Sequence, residues 1–118
     1  MLSTPSWMPE LVPEAVQCAR VALGGAARLE RALLMLKAVA DETRLRILVS
    51  LAATELCVCD LAVLTEVSES AVSHQMRYLR DASLVLSDKR GRVVYYRLAD
   101  DHVRQLVESL LSHAGEAH

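Results

Sequence analysis

Apolar side chains recur at helical spacing along most of this chain. Pro13 can open a helix that runs to about Leu23, where Gly24-Gly25 interrupts it. Leu29, Leu33, Leu36 and Val39 then fall on one stripe and predict a helix over 26–39. Asp41 is a good N-cap, Glu42 and Thr43 suit a first turn, and Leu45, Ile47, Leu48 and Leu51 give the next helix its buried face. Leu56, Leu61 and Leu64 predict a short helix, Val67-Ser68 a turn, and Ser68 the cap of a helix over 69–82 with Val72, Met76 and Leu79 inward. Two short helices joined by a tight turn are a helix-turn-helix candidate.

Past residue 83 the period changes from helical to alternating. Leu84, Leu86, Val94, Tyr96 and Leu98 alternate with polar residues, and Asp88-Lys89-Arg90-Gly91-Arg92 breaks the pattern. That is a β-hairpin with Gly91 where a positive φ is needed. Asp100 or Asp101 caps a last helix, on which Val103, Leu106, Val107, Leu110, Leu111 and Ala114 form a long apolar stripe. Residues 1–13 show no period and are expected to be a flexible arm, with 14–118 as the folded domain. The expected fold is mainly α with a small β-hairpin: a winged helix-turn-helix whose wing is the basic hairpin tip.

Composition narrows this further. With no Phe and one Trp among 118 residues, the core must be built from Leu, Val and Ala, which favours packed helices. Three cysteines is an odd number, which disfavours a closed disulfide framework. The first residues lack a basic start and carry Pro5, Pro9 and Pro13, and no apolar run approaches membrane-spanning length, so a cytoplasmic chain with no membrane partner is expected. No Gly-rich phosphate loop or second acid–base constellation accompanies the cysteines, so no enzyme is expected.

The net charge of −2 hides an uneven distribution. Arg77, Arg80, Lys89, Arg90, Arg92 and Arg97 crowd residues 74–97, whereas Asp100, Asp101, Glu108 and Glu116 dominate the end. On the helix over 69–82, Ser70, Ser73, His74, Gln75 and Arg77 point outward. Short hydroxyls and an amide near a helix start suit base edges in a major groove, and Arg77 and Arg80 suit phosphates. Lys89, Arg90 and Arg92 at a hairpin tip can reach backbone or minor groove beside them. Each feature alone is equally a solvated surface; in this order they point to double-stranded DNA.

The segments LKAVADETRLRILVSLA (36–52), ELCVCDLA (55–62), VSESAVSHQMRYLRDASLV (67–85) and GRVVYYRL (91–98) resemble, in order, the ArsR/SmtB family of metal-sensing repressors. The resemblance runs from about residue 33 to the end and leaves 1–30 uncovered. It implies a homodimer packed through its terminal helices on a palindromic operator, released when metal binds, and controlling metal efflux or resistance genes.

Two groups of metal-ligand candidates stand out. On the last helix, His113 and Glu116 are adjacent on one face, Asp100 and His102 sit together at the start, and the two pairs lie ~16 Å apart along the axis. A zinc ion needs donors at ~2 Å, so one helix cannot bring all four to one ion. An antiparallel second copy can, making two equal sites whose nitrogen and carboxylate donors suit Zn(II) or Co(II). The plain alternative is an exposed polar helix end with Asp100 as a cap. The four positions are similar to the zinc site many family members carry on this helix. The family's pattern stops short of His118, which is expected to be a free end.

The second group is Cys57 and Cys59. Two residues apart at a helix start, both sulfurs can converge, and a helix N-terminus favours thiolate. The plain alternative is two small buried hydrophobes. Two thiolates need a third ligand. ELCVCD is similar to the family's thiolate-sensing motif, but Ala62 stands where the arsenic-sensing branch has its third Cys. In the cadmium- and lead-sensing branch further thiolates come from an N-terminal arm; here the available residue is Cys18, itself within an expected helix and equally readable as a small core residue. With Cys18, and Asp60 beside it, the set suits Cd(II), Pb(II) or As(III). The leading expectation is therefore a repressor responsive to Zn(II), Cd(II) or Pb(II); the alternative is an arsenite- or thiol-redox-responsive repressor of the same fold using Cys57 and Cys59.

Overall fold

The computed structural model describes residues 12–116. All but the last two residues of the arm expected over 1–13, and the end residue His118, lie outside that range. The chain divides between Ala32 and Leu33 into two units. The first holds α1 (Pro13–Leu23) and the opening of α2 (Ala26–Val39). Pro13 occupies the first turn of α1, and Gly24 ends it with φ +63 and its N–H on Val21 O. No α1 residue is buried within this chain.

The second unit carries the rest of α2 and then α3 (Glu42–Ala53), β1 (Leu56–Cys57), α4 (Val58–Thr65), α5 (Glu69–Asp81), β2 (Val85–Arg90), β3 (Val93–Leu98) and α6 (Asp101–Glu116). Ile47, Leu48 and Leu51 of α3, Leu61 of α4, Val72, Met76 and Leu79 of α5, and Val103 and Val107 of α6 close one aliphatic core. The expected helix starts are confirmed by their caps. Asp41 Oδ2 accepts from Arg44 N at 3.0 Å, Ser68 Oγ from Ala71 N at 3.1 Å, and Asp100, not Asp101, from Val103 N at 3.0 Å. Between α4 and α5 the turn passes through Glu66, a non-glycine residue at φ +59, which sets the two helices of the helix-turn-helix.

The sheet departs from the expected hairpin. β2 and β3 pair antiparallel around Gly91 at φ +64, as the sequence demands. But β1 joins them on the far edge of β3, with Leu56 opposite Tyr96 and Cys57 opposite Tyr95, giving the order β1-β3-β2. Leu56, expected in a short helix, is thus a strand residue, and α4 starts two residues later. Leu86, one of the alternating apolar positions, is exposed, while Leu84 and Val85 are buried together.

Two apolar faces stay open in the single chain. On α2, Leu29, Leu33, Leu34 and Leu36 are about half exposed, although Val39 of the same expected stripe is buried. On α6, Val103 and Val107 face the core while Leu110 and Leu111 are each 45% exposed.

Candidate nucleic-acid interface and metal centres

The core holds α5 by Val72, Met76 and Leu79, so the opposite arc must face solvent. Ser70, Ser73, His74 and Arg77 lie on that arc, all exposed, with Arg80 exposed on the last turn. Gln75 is different. It is half-buried on the flank of α5, and its Oε1 accepts from Arg44 Nη1 at 3.0 Å. The oxygen of the carboxamide expected at base edges is therefore engaged by its own chain.

The wing is likewise uneven. Lys89 and Arg92 are exposed. Arg90 is folded back: Nη1 lies 2.5 Å from Glu55 Oε1, Nε 3.0 Å from Asp88 Oδ2, and the guanidinium stands 4.8 Å from the Tyr95 ring centre. Glu55, and then Asp88, hold the Arg90 charge still more firmly protonated than usual. Sequence reasoning missed this pairing because it depends on β1 lying beside β3.

Between α5 and β3 runs a groove of about 670 Å³. Ser70, Ser73, His74 and Arg77 line one wall, Arg92 and Val93 the other, and Cys57 and Cys59 its inner end. The thiols and the outward face of the helix-turn-helix thus open into one space.

The thiol pair is built by the junction of β1 and α4. Cys57 is the N-cap of α4, with extended backbone at φ −88 and ψ 170, so its side chain lies outside the helical turn that carries Cys59. The two sulfurs come to 2.6 Å, the convergence a helix start permits. Asp60 closes the group: its Oδ2 accepts from the Cys57 thiol at 3.2 Å and from the Cys57 N–H at 3.4 Å. Donor atoms of Cys57, Cys59 and Asp60 all lie within 4.8 Å of one another, the one such three-donor group among the described residues. Cys57 is buried and Cys59 exposed.

The proton balance at Cys57 overturns one expectation. The Asp60 amide in the first turn does favour thiolate, as a helix start should, but it is outweighed. The neighbouring Cys59 sulfur, then burial and the Asp60 carboxylate, push the Cys57 thiol up. A cation between the sulfurs would reverse that balance by taking the proton's place. The donors, two sulfurs and a carboxylate oxygen, are of the kind a soft ion takes, and the sulfurs would have to part from 2.6 Å to the spacing that bonds of ~2.3 Å require. Cys18 is exposed on α1.

On α6 the donors stay apart. Asp100 and His102 meet at the helix start, Oδ1 to Nδ1 3.8 Å, with the imidazole almost fully exposed. His113 and Glu116 border a shallow depression on the last turns. Within one chain the four do not form a three-donor cluster.

The fold is that of a winged helix-turn-helix. The family described as "Bacterial regulatory protein, arsR family" matches residues 41–87. A transcriptional repressor SmtB homolog of Synechocystis sp. is 54% identical over 80 residues, covering 68% of this chain and 61% of that relative, so less than two thirds of the relative's length is spanned. A cadmium resistance transcriptional regulatory protein CadC homolog of Staphylococcus aureus is 43% identical over 81 residues, 68% of this chain and 67% of that one. The solution structure of a homodimeric winged helix-turn-helix DNA-binding domain from Mycobacterium bovis superposes with a TM-score of 0.74 at 32% identity, covering 77% of this chain and 84% of that domain. The chain belongs to the ArsR/SmtB family of transcriptional regulators, which are not enzymes.

Proposed function

We propose that this chain is a metal-responsive repressor that binds operator DNA as a homodimer and is released by Zn(II), Cd(II) or Pb(II), controlling metal efflux or resistance genes. The observation that carries this is the shared groove: Cys57 and Cys59 open into the space lined by Ser70, Ser73, His74 and Arg77. A soft ion bound to the thiols stands beside the DNA-reading face. Ser70, Ser73 and His74 meet base edges, and Arg77, Arg80, Lys89 and Arg92 meet phosphates. Arg90 joins them when a phosphate displaces Glu55. The open faces of α2 and α6 take the second copy. Antiparallel α6 helices then bring Asp100 and His102 of each chain to His113 and Glu116 of the other as a Zn(II) site. Cys18 is the candidate third thiolate. Release requires that metal bind the DNA-free form more tightly than the DNA-bound one.

The test is fluorescence anisotropy of duplex DNA selected by the apo chain, titrated anaerobically with Zn(II), Cd(II), Pb(II) and arsenite. Release by Cd(II) or Zn(II) supports the reading; DNA binding indifferent to all four removes metal control. The proximity of the two sulfurs supports a second reading, an arsenite- or thiol-redox-responsive repressor on Cys57 and Cys59. Release by arsenite, or by an oxidant in metal-free buffer, selects it.

A further inference from the structure

Arg44 makes more polar contacts than any other side chain described, and none of them is to a carboxylate. It sits in the first turn of α3, its backbone N–H on the Asp41 cap. Its Nε donates to Ala38 O at 2.6 Å and its Nη2 to Lys37 O at 3.4 Å. Those carbonyls end α2. The chain leaves the helix there, with Asp41 N turning to Val39 O rather than to Lys37 O, so they have lost their in-helix amides. The guanidinium supplies the missing donors, and its charge is met by the negative end of the α2 dipole.

The other end of the same guanidinium holds α5. Nη1 donates to Gln75 Oε1 at 3.0 Å, and the cation stands 4.2 Å from the Tyr78 ring centre. Gln75 and Tyr78 are one turn apart on the flank of α5, off the arc of Ser70, Ser73, His74 and Arg77. Among the described residues no other side-chain hydrogen bond joins α2 or α3 to α5. One rigid, planar fork thus ties the end of α2 to the side of the DNA-reading helix.

We propose that Arg44 is a positioning residue that fixes the angle between the end of α2 (residues 33–39) and α5, and so sets the half-site spacing a dimer accepts. The proposal rests on the DNA-binding dimer put forward above. If a second copy covers Leu33, Leu34 and Leu36, α2 belongs to the dimer frame, and the pose of each α5 relative to its α2 decides where the two reading helices point. One added base pair turns a half-site by ~35° about the DNA axis, so a frame held stiff discriminates spacings. Lysine cannot reproduce the arrangement, because an ammonium lacks the planar fork that meets the α2 carbonyls and Gln75 together.

The experiment uses the full chain and duplexes that the wild type selects from random-sequence DNA, with versions carrying one base pair more or fewer between half-sites. Wild type is expected to prefer its selected spacing by at least ~10-fold. Arg44→Met and Arg44→Lys are expected to shrink that preference to within ~3-fold while dimer mass and Cd(II) uptake stay unchanged. A purely structural role would lower affinity for every duplex alike and leave the preference intact, and an intact preference in Arg44→Met overturns the strut. Should Arg44→Met lose its helical circular dichroism, Gln75→Met, which cuts the α5 end alone, decides in the same way: the preference collapses, or the proposal fails. A wild type that selects single, unpaired half-sites overturns the dimer reading and the strut with it; paired sites with the preference unaltered in the variants overturn the strut alone.

Discussion

As proposed metal sites, the thiol pair and the two ends of α6 are opposite ways of gathering donors. Cys57, Cys59 and Asp60 are neighbours in sequence, converge at one helix start, and lie within 4.8 Å of one another in a single chain. They are assembled but few, with one thiol buried and held protonated. Asp100, His102, His113 and Glu116 make a full set of four, but a straight helix keeps them apart and exposed. The first group has geometry and lacks donors; the second has donors and needs a second copy for geometry. A site of the first kind can exist in a monomer, whereas one of the second kind would report on assembly.

The sharpest way to break the comparison is to remove sulfur. Cys57→Ser or Cys59→Ser should abolish the thiolate-to-metal charge-transfer absorption of a Cd(II) titration, with affinity falling beyond the ~10–100-fold typical of losing an outer-shell partner. His102→Ala and His113→Ala should leave those bands in place. Bands that survive both serine variants would return the pair to the core.

Next in size is the dependence on a second copy. Leu110→Glu places a charge on the open face of α6, and the dimer dissociation constant should rise at least ~10-fold, about 1.4 kcal/mol, in sedimentation equilibrium. The same variant should lose tight Zn(II) binding at α6 while keeping the Cd(II) thiolate bands. Zinc retained by a demonstrated monomer would show that α6 does not need its partner.

A smaller effect separates groove cations from tethered ones. Arg77→Ala or Arg92→Ala should reduce the salt slope of DNA binding by about 1, as expected for one lost phosphate contact. Arg90→Ala should change it by less, since Glu55 and Asp88 already compete for its guanidinium. Equal slopes for Arg90 and Arg92 would mean that DNA frees Arg90 completely.

The mildest change is Asp100→Asn. Asparagine caps helices about as well as aspartate, so stability measured by urea unfolding should move by no more than ~0.5 kcal/mol. Zinc affinity at α6 should nevertheless fall with the loss of the carboxylate. A large stability loss would show that the charge, not the cap, is what α6 uses.

Much of the fold was legible because it is written in local signals. Asp41, Ser68 and the pair Asp100-Asp101 announce three helix starts, Gly91 the wing turn, and Val72, Met76 and Leu79 the inner face of α5, each readable within a turn or two. What stayed hidden depends on residues far apart in sequence. Leu56 looks like part of a helix until Tyr96 is known to lie across from it. Arg90 looks like a free cation until β1 carries Glu55 to it, and Gln75 looks like a base reader until Arg44 takes its carbonyl. The raised Cys57 thiol was missed for a subtler reason: the helix-start effect is local and real, but a second sulfur at the same place outweighs it.

The pairing of Leu56–Cys57 with Tyr95–Tyr96 also orders events in time. As the chain leaves the ribosome, α3, α4 and α5 emerge before their sheet exists, because β3 is made later than all of them. Until residue 96 is free, Cys57 has no strand beside it, and the chain between the two must close before they pair. A chain cut short before β3 would lack the strand that Leu56 and Cys57 pair with, so the start of α4 and the proposed metal site would lose the same support.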